Sequence, residues 1–128
     1  MDLEENLDGL KRQTDLHIIL LAAAVDLSMT FYGVLTGTGV EMNPLYRPFT
    51  LNPYYMVLGA LIYLISLVLV SLKIEGWKRW VIGSAVFGMH VGGASSWAST
   101  VGPVHFNWWY SALLATLSTS MFYHLLYD

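Results

Sequence analysis

The stretch Y54-YMVLGALIYLISLVLVSL72 limits this chain more than any other feature. A helix needs about 20 mostly apolar residues to cross the hydrocarbon core of a bilayer, and this run supplies them without a charge. Composition points the same way. Charged residues make up 12% of the 128-residue chain and hydrophobic residues 55%, against about 25% charged in an average soluble domain. Six Lys+Arg and nine Asp+Glu leave too little polar surface to disperse a helical bundle in water.

The expected fold is therefore all-α, a four-transmembrane-helix bundle with spans at about 16–37, 54–73, 79–99 and 106–126. Glycine and proline mark the breaks: Gly37 and Gly39, then Pro44, Pro48 and Pro53, then Gly76, and finally Gly102 and Pro103. Residues 1–15 read as a separate polar cytoplasmic or interfacial segment, with Leu3, Leu7 and Leu10 at helical spacing. Lys11-Arg12 ahead of an apolar run ending in Ala22-Ala23-Ala24 also fits a cleaved signal peptide. The run continues too far past that point for this to be preferred.

Lys11, Arg12, Lys73, Lys78 and Arg79 fall on one side of a four-span topology, leaving Arg47 opposite. The positive-inside rule then places both termini in the cytoplasm of a cell membrane. Trp77 and Trp80 mark the inner interface, with Tyr123 and Tyr127, while Trp97, Trp108 and Trp109 mark the outer one. The expected partners are the lipid bilayer and either further copies of this chain or a larger membrane complex. A net charge of −3 argues against nucleic acid, which needs clustered Lys and Arg. The absence of cysteine rules out disulfides, thiolate zinc sites and cysteine nucleophiles. No resident cofactor is expected.

Asp26 is the sole acid of the first span. An ionisable group at mid-bilayer costs about 2.5–3.5 kcal/mol on insertion scales, so it normally faces other helices and finds a partner. Ala22, Asp26, Thr30, Gly33 and Gly37 share one stripe of a helix, small and polar enough to pack against protein. In the third span His90 lies at the same depth as Asp26, about 15 Å from the inner end at 1.5 Å per residue. The buried polar candidates are thus Asp26, Thr30 and His90. Either His90 meets Asp26, or it bonds a Ser, a Thr or a backbone carbonyl in the interior, or it binds a metal. Around it Ser84, Gly88, Gly92 and Ser96 form one small-residue face. Gly83, His90, Gly93, Ala94 and Trp97 form another nearly opposite, as suits a central helix.

A second group, Glu41, Asn43, His105 and Asn107, falls at the expected outer mouth, where a carboxylate, an imidazole and two amides suit a cation or acid–base site. Glu41 and His105 are the metal-ligand candidates. The plainer alternative is that Glu41 and Asn43 bond loop backbone and Arg47. His17 and His124 at the inner ends, with Ser28, Thr30, Ser95, Ser99, Thr116 and Thr119 between, complete a ladder that a proton or ion path would need. Bundle packing through hydroxyls calls for the same residues.

The pattern D26-x3-T30…G37-x3-E41-x-N43-P44-L45 resembles a family of short prokaryotic multi-pass membrane proteins of unknown function. The resemblance covers the first span and loop and implies a membrane protein sharing these positions, without supplying a mechanism. Three activities follow from the residues. The first is a structural or interaction subunit with a buried polar cluster. The second is a small oligomeric proton- or cation-coupled transporter or channel, and the third a metal-assisted membrane hydrolase. The third requires the chain to fold back after Gly33 or Gly37, because in a continuous helix Asp26 and Glu41 would stand about 22 Å apart.

Overall fold

The computed structural model describes residues 3–101, 105 and 107–127; within the helices, the side chains of 3–8, 11, 12, 101 and 125–127 lie outside the description. The basic pair Lys11-Arg12 and the belt residue Tyr127 fall among the latter. Four α-helices form an all-α bundle: α1 (Leu3–Leu35), α2 (Pro53–Lys73), α3 (Trp77–Val101) and α4 (Trp108–Tyr127). A short 3-10 turn, Arg47–Leu51, precedes α2.

Among the described residues, two stretches, Gln13–Leu35 and Pro53–Lys73, are long and apolar enough to cross a membrane. The boundary expected after residue 15 is not a break in the helix, since α1 is continuous for 33 residues, roughly 50 Å. No proline interrupts it, and Asp15, placed by sequence in the polar segment, is buried in the bundle.

The end of α1 and the start of α2 have local reasons. Gly37, at φ 69°, closes α1: Thr38 N–H donates to Gly33 O at 2.9 Å and Gly37 N–H to Val34 O at 3.2 Å. This double bond around a left-handed residue satisfies the last carbonyls of a helix, and glycine adopts it without strain. Asn52 caps α2, its side-chain oxygen accepting from Tyr54 N–H at 2.8 Å, and Pro53 fills a first-turn position where no N–H is needed. Gly76, at φ 59°, turns the chain from α2 into α3. The end of the bundle holding this turn is called the turn end, and the end holding residues 36–52 the connection end.

α3 is the central helix. On one face a Cβ added at Gly88 or Gly92 would overlap Thr116 or Ala112 of α4, so the missing side chains let the two backbones approach. On the other, Gly93 lies by Asp26 and Trp97 by Gly33, both toward α1, while Gly83 meets Ile19 of α1 and Tyr123 of α4. Both small-residue faces expected from the sequence are thus occupied. The α1 stripe differs by one position: Ala23, not Ala22, is fully buried, and Gly37 lies beyond the helix. The outward faces are apolar, with Leu58, Leu61, Ile62, Ile65 and Leu69 of α2 about half exposed.

Candidate functional site

Three helices, α1, α2 and α3, each carry one polar side chain to the same height. Tyr63 is the midpoint of α2, His90 lies one residue past the midpoint of α3, and Asp26 lies within the apolar stretch of α1. His90 Nδ1 is 2.8 Å from Asp26 Oδ2, and His90 Nε2 is 2.6 Å from the Tyr63 hydroxyl. A carboxylate oxygen only accepts, so Nδ1 carries the proton. In the neutral ring Nε2 then accepts from the Tyr63 O–H. Asp26 thereby fixes both the tautomer and the tilt of the imidazole. Room for the carboxylate exists because residue 93 is glycine, whose missing Cβ would sit 2.5 Å from Asp26 Oδ1. The imidazole also meets the Tyr63 ring edge-on, with centroids 5.5 Å apart.

Of the readings open for His90, the structure realises the pairing with Asp26. Tyr63 is absent from the sequence-derived candidates. The available signal was its position, a lone ring hydroxyl at the centre of the most apolar span. Asp15 and Arg79 are a second such pair. Their side chains meet at 2.9 Å near the turn end, where the sequence alone assigns Arg79 to loop charge.

Glu41 returns to the bundle. After Gly37 the chain folds back along α1, so that Gly39 as well as Gly33 abuts the Trp97 ring. Thr30 Oγ1 donates to Glu41 Oε2 at 3.2 Å, and Asn43 N–H donates to Oε1 at 2.7 Å. Glu41 is 9% exposed and bonds Thr30, which follows Asp26 by one helical turn. The fold-back required by the hydrolase reading is therefore present. Among the described residues, however, no three His, Asp or Glu side chains gather closely enough to hold a metal ion.

The expected meeting of Glu41, Asn43, His105 and Asn107 is corrected. His105 is exposed, and no hydrogen bond joins it or Asn107 to the other two. The asparagines serve their own backbone: Asn43 Oδ1 accepts from Leu45 N–H at 3.0 Å and Asn107 Oδ1 from Trp109 N–H at 3.1 Å. Such local bonds form at short sequence separation and hold each asparagine in its own turn. The hydroxyl ladder is corrected too. Ser28, Ser95, Ser99, Thr116 and Thr119 donate to the carbonyl four residues earlier in their own helices. His17 Nδ1 likewise contacts Gln13 O at 2.6 Å. Of the ladder, Thr30 bonds a partner from another element.

Tyr46 closes the connection end, its hydroxyl donating to Met56 O at 2.8 Å. Burial pushes this phenol from 10.0 up to about 12, with the Glu41 carboxylate adding to the effect. The folded state holds the proton more tightly than the unfolded chain does. The stabilisation is therefore complete below pH 10.0 and is lost as pH rises towards about 12. Alkaline titration followed by tyrosinate absorbance and helix content should show this loss in the wild type. Tyr46→Phe should flatten it, and an unchanged alkaline profile would remove Tyr46 as its source.

Comparison with protein-family models, curated proteins and solved structures finds no match to this chain.

Proposed function

We propose that the chain is a multi-pass integral protein of a cell membrane, crossing four times with both termini cytoplasmic. We further propose that it acts as a structural or interaction subunit organised by its buried polar cluster. The observation that carries this reading is the Asp26–His90–Tyr63 chain, which joins α1, α3 and α2 through two hydrogen bonds at mid-height. In lipid no hydrophobic force draws helices together, so interhelical polar bonds and small-residue packing hold them. Lipid would cover the apolar outer faces, and the likeness of the Asp26-to-Leu45 pattern to short prokaryotic membrane proteins agrees with this.

The absence of cysteine allows a direct test of topology. Leu45→Cys, at an exposed position of the connection end, should react with an impermeant maleimide on intact cells, and Glu75→Cys in the α2–α3 turn should react only after lysis. The opposite pattern reverses the orientation, and reaction of both on intact cells defeats the four-span reading. The subunit role predicts that wild-type protein in vesicles conducts no more protons than lipid alone. Flux above that baseline would favour a transporter instead.

A further inference from the structure

The polar groups lie at three heights, and what separates them differs between the two sides of the Asp26–His90–Tyr63 chain. Towards the connection end, Asp26 and Thr30 stand one turn apart on α1, about 6 Å, and Thr30 bonds Glu41 directly. Towards the turn end, Ile19, Ala23 and Leu67 form a buried apolar cluster, with Leu20, Leu64 and Val86 packed against it. Leu67 follows Tyr63 by one turn of α2, and Val86 precedes His90 by one turn of α3. Beyond this layer is a cavity of about 50 Å³ whose polar walls are Asp15, Arg79, Ser71 and Tyr123. That is room for more than one water molecule among groups able to bond it.

We propose that Asp26, His90 and Tyr63 form a proton-binding site entered from the Glu41 side only, with the Ile19–Ala23–Leu67–Val86 layer as the barrier to the opposite cavity. The ligand is a proton, and no electrons move. A proton arriving from the connection end is taken up and passed on by the Glu41 carboxylate, the Thr30 hydroxyl (donor and acceptor at once) stands between, and Asp26 takes it on Oδ1. The carboxylate–imidazole pair becomes a carboxylic acid–imidazole pair, with the His90 Nε2 bond to Tyr63 unchanged. The titratable groups facing the site are Asp26 from α1, Tyr63 from α2 and Glu41 from the connection. α4 packs on the other face of α3, and its Tyr123 lies at the turn-end cavity. A dry apolar stretch holds back protons because neither water nor a hydroxyl is there to carry them.

The test uses the full chain in phosphatidylcholine vesicles enclosing a pH dye, driven by a potassium diffusion potential. Wild-type flux should equal that of protein-free vesicles. Leu67→Ser on α2 and Val86→Thr on α3 should each raise it about tenfold by placing a hydroxyl in the barrier. Adding Asp26→Asn to either should return flux to baseline. No rise in either variant overturns the proposal, and so does a rise that survives Asp26→Asn. A second measurement leaves the barrier intact: hydrogen exchange at the His90 ring, followed by NMR, should run about tenfold slower in Glu41→Gln than in wild type, and equal rates overturn the proposal. The inference rests on the membrane reading. Release of the protein from vesicles by alkaline washing overturns both, whereas a failed flux or exchange result overturns this inference alone.

Discussion

His90→Ala should lower the unfolding free energy of the detergent-purified protein by about 3 kcal/mol, the upper end of the cost of leaving a buried polar group unsatisfied, because the group stranded is a carboxylate. His90 is 9% exposed and bonds both Asp26 and Tyr63, so its loss strands a carboxylate and a phenol together. Asp26→Ala strands one imidazole N–H and should cost about 1–3 kcal/mol. Tyr63→Phe leaves a neutral ring nitrogen unpaired and should cost about 1 kcal/mol. Polar contacts between membrane helices average about 0.6 kcal/mol, because the separated helices find other partners. A carboxylate among apolar side chains has few to find, which is why the histidine truncation should stand well above that mean. Chemical unfolding in mixed micelles would rank the three. If Asp26→Ala proved costlier than His90→Ala, the carboxylate would not be the group whose isolation matters.

Trp97→Ala is the second large effect, expected at about 3–5 kcal/mol for truncating a buried aromatic. Its ring is 8% exposed and fills the space left by Gly33 and Gly39, pinning the chain that returns from α1. Without the wedge, residues 37–43 lose their seat and Glu41 its hold on Thr30. Glu41→Gln should therefore cost less in the Trp97→Ala background than in wild type, since neighbouring sites that share a structure are not additive. Gly33→Ala approaches the same contact from the other side. Its Cβ would overlap the indole and should cost about 1–3 kcal/mol through overpacking. Strict additivity of Trp97→Ala and Glu41→Gln would show that the wedge does not position the glutamate.

The four helices and the two faces of α3 were legible because each depends on spacing along one helix. Ser84, Gly88, Gly92 and Ser96 repeat every four residues, and whatever packs there must come close. Depth counting put Asp26 and His90 at one height for the same reason, since helical rise is constant. The outer-mouth cluster failed because loop geometry does not follow from spacing. Asn43 and Asn107 had nearer backbone donors than the distant groups they might have joined. Tyr63 was overlooked because a single hydroxyl in an apolar run does not change the pattern around it.

From its residues alone, this chain was bound to be helical, poor in charge, and obliged to shelter the acid in its first apolar stretch. Only the tertiary structure decided who would shelter it, joining an imidazole and a phenol from two other helices. The tertiary structure also brought Glu41 back beside Thr30 through a left-handed turn at Gly37. The physical reason is one of range. Helical period and burial cost act on residues a few positions apart, whereas these hydrogen bonds depend on the rotation of each helix about its axis and on the path of a loop, which no local rule sets.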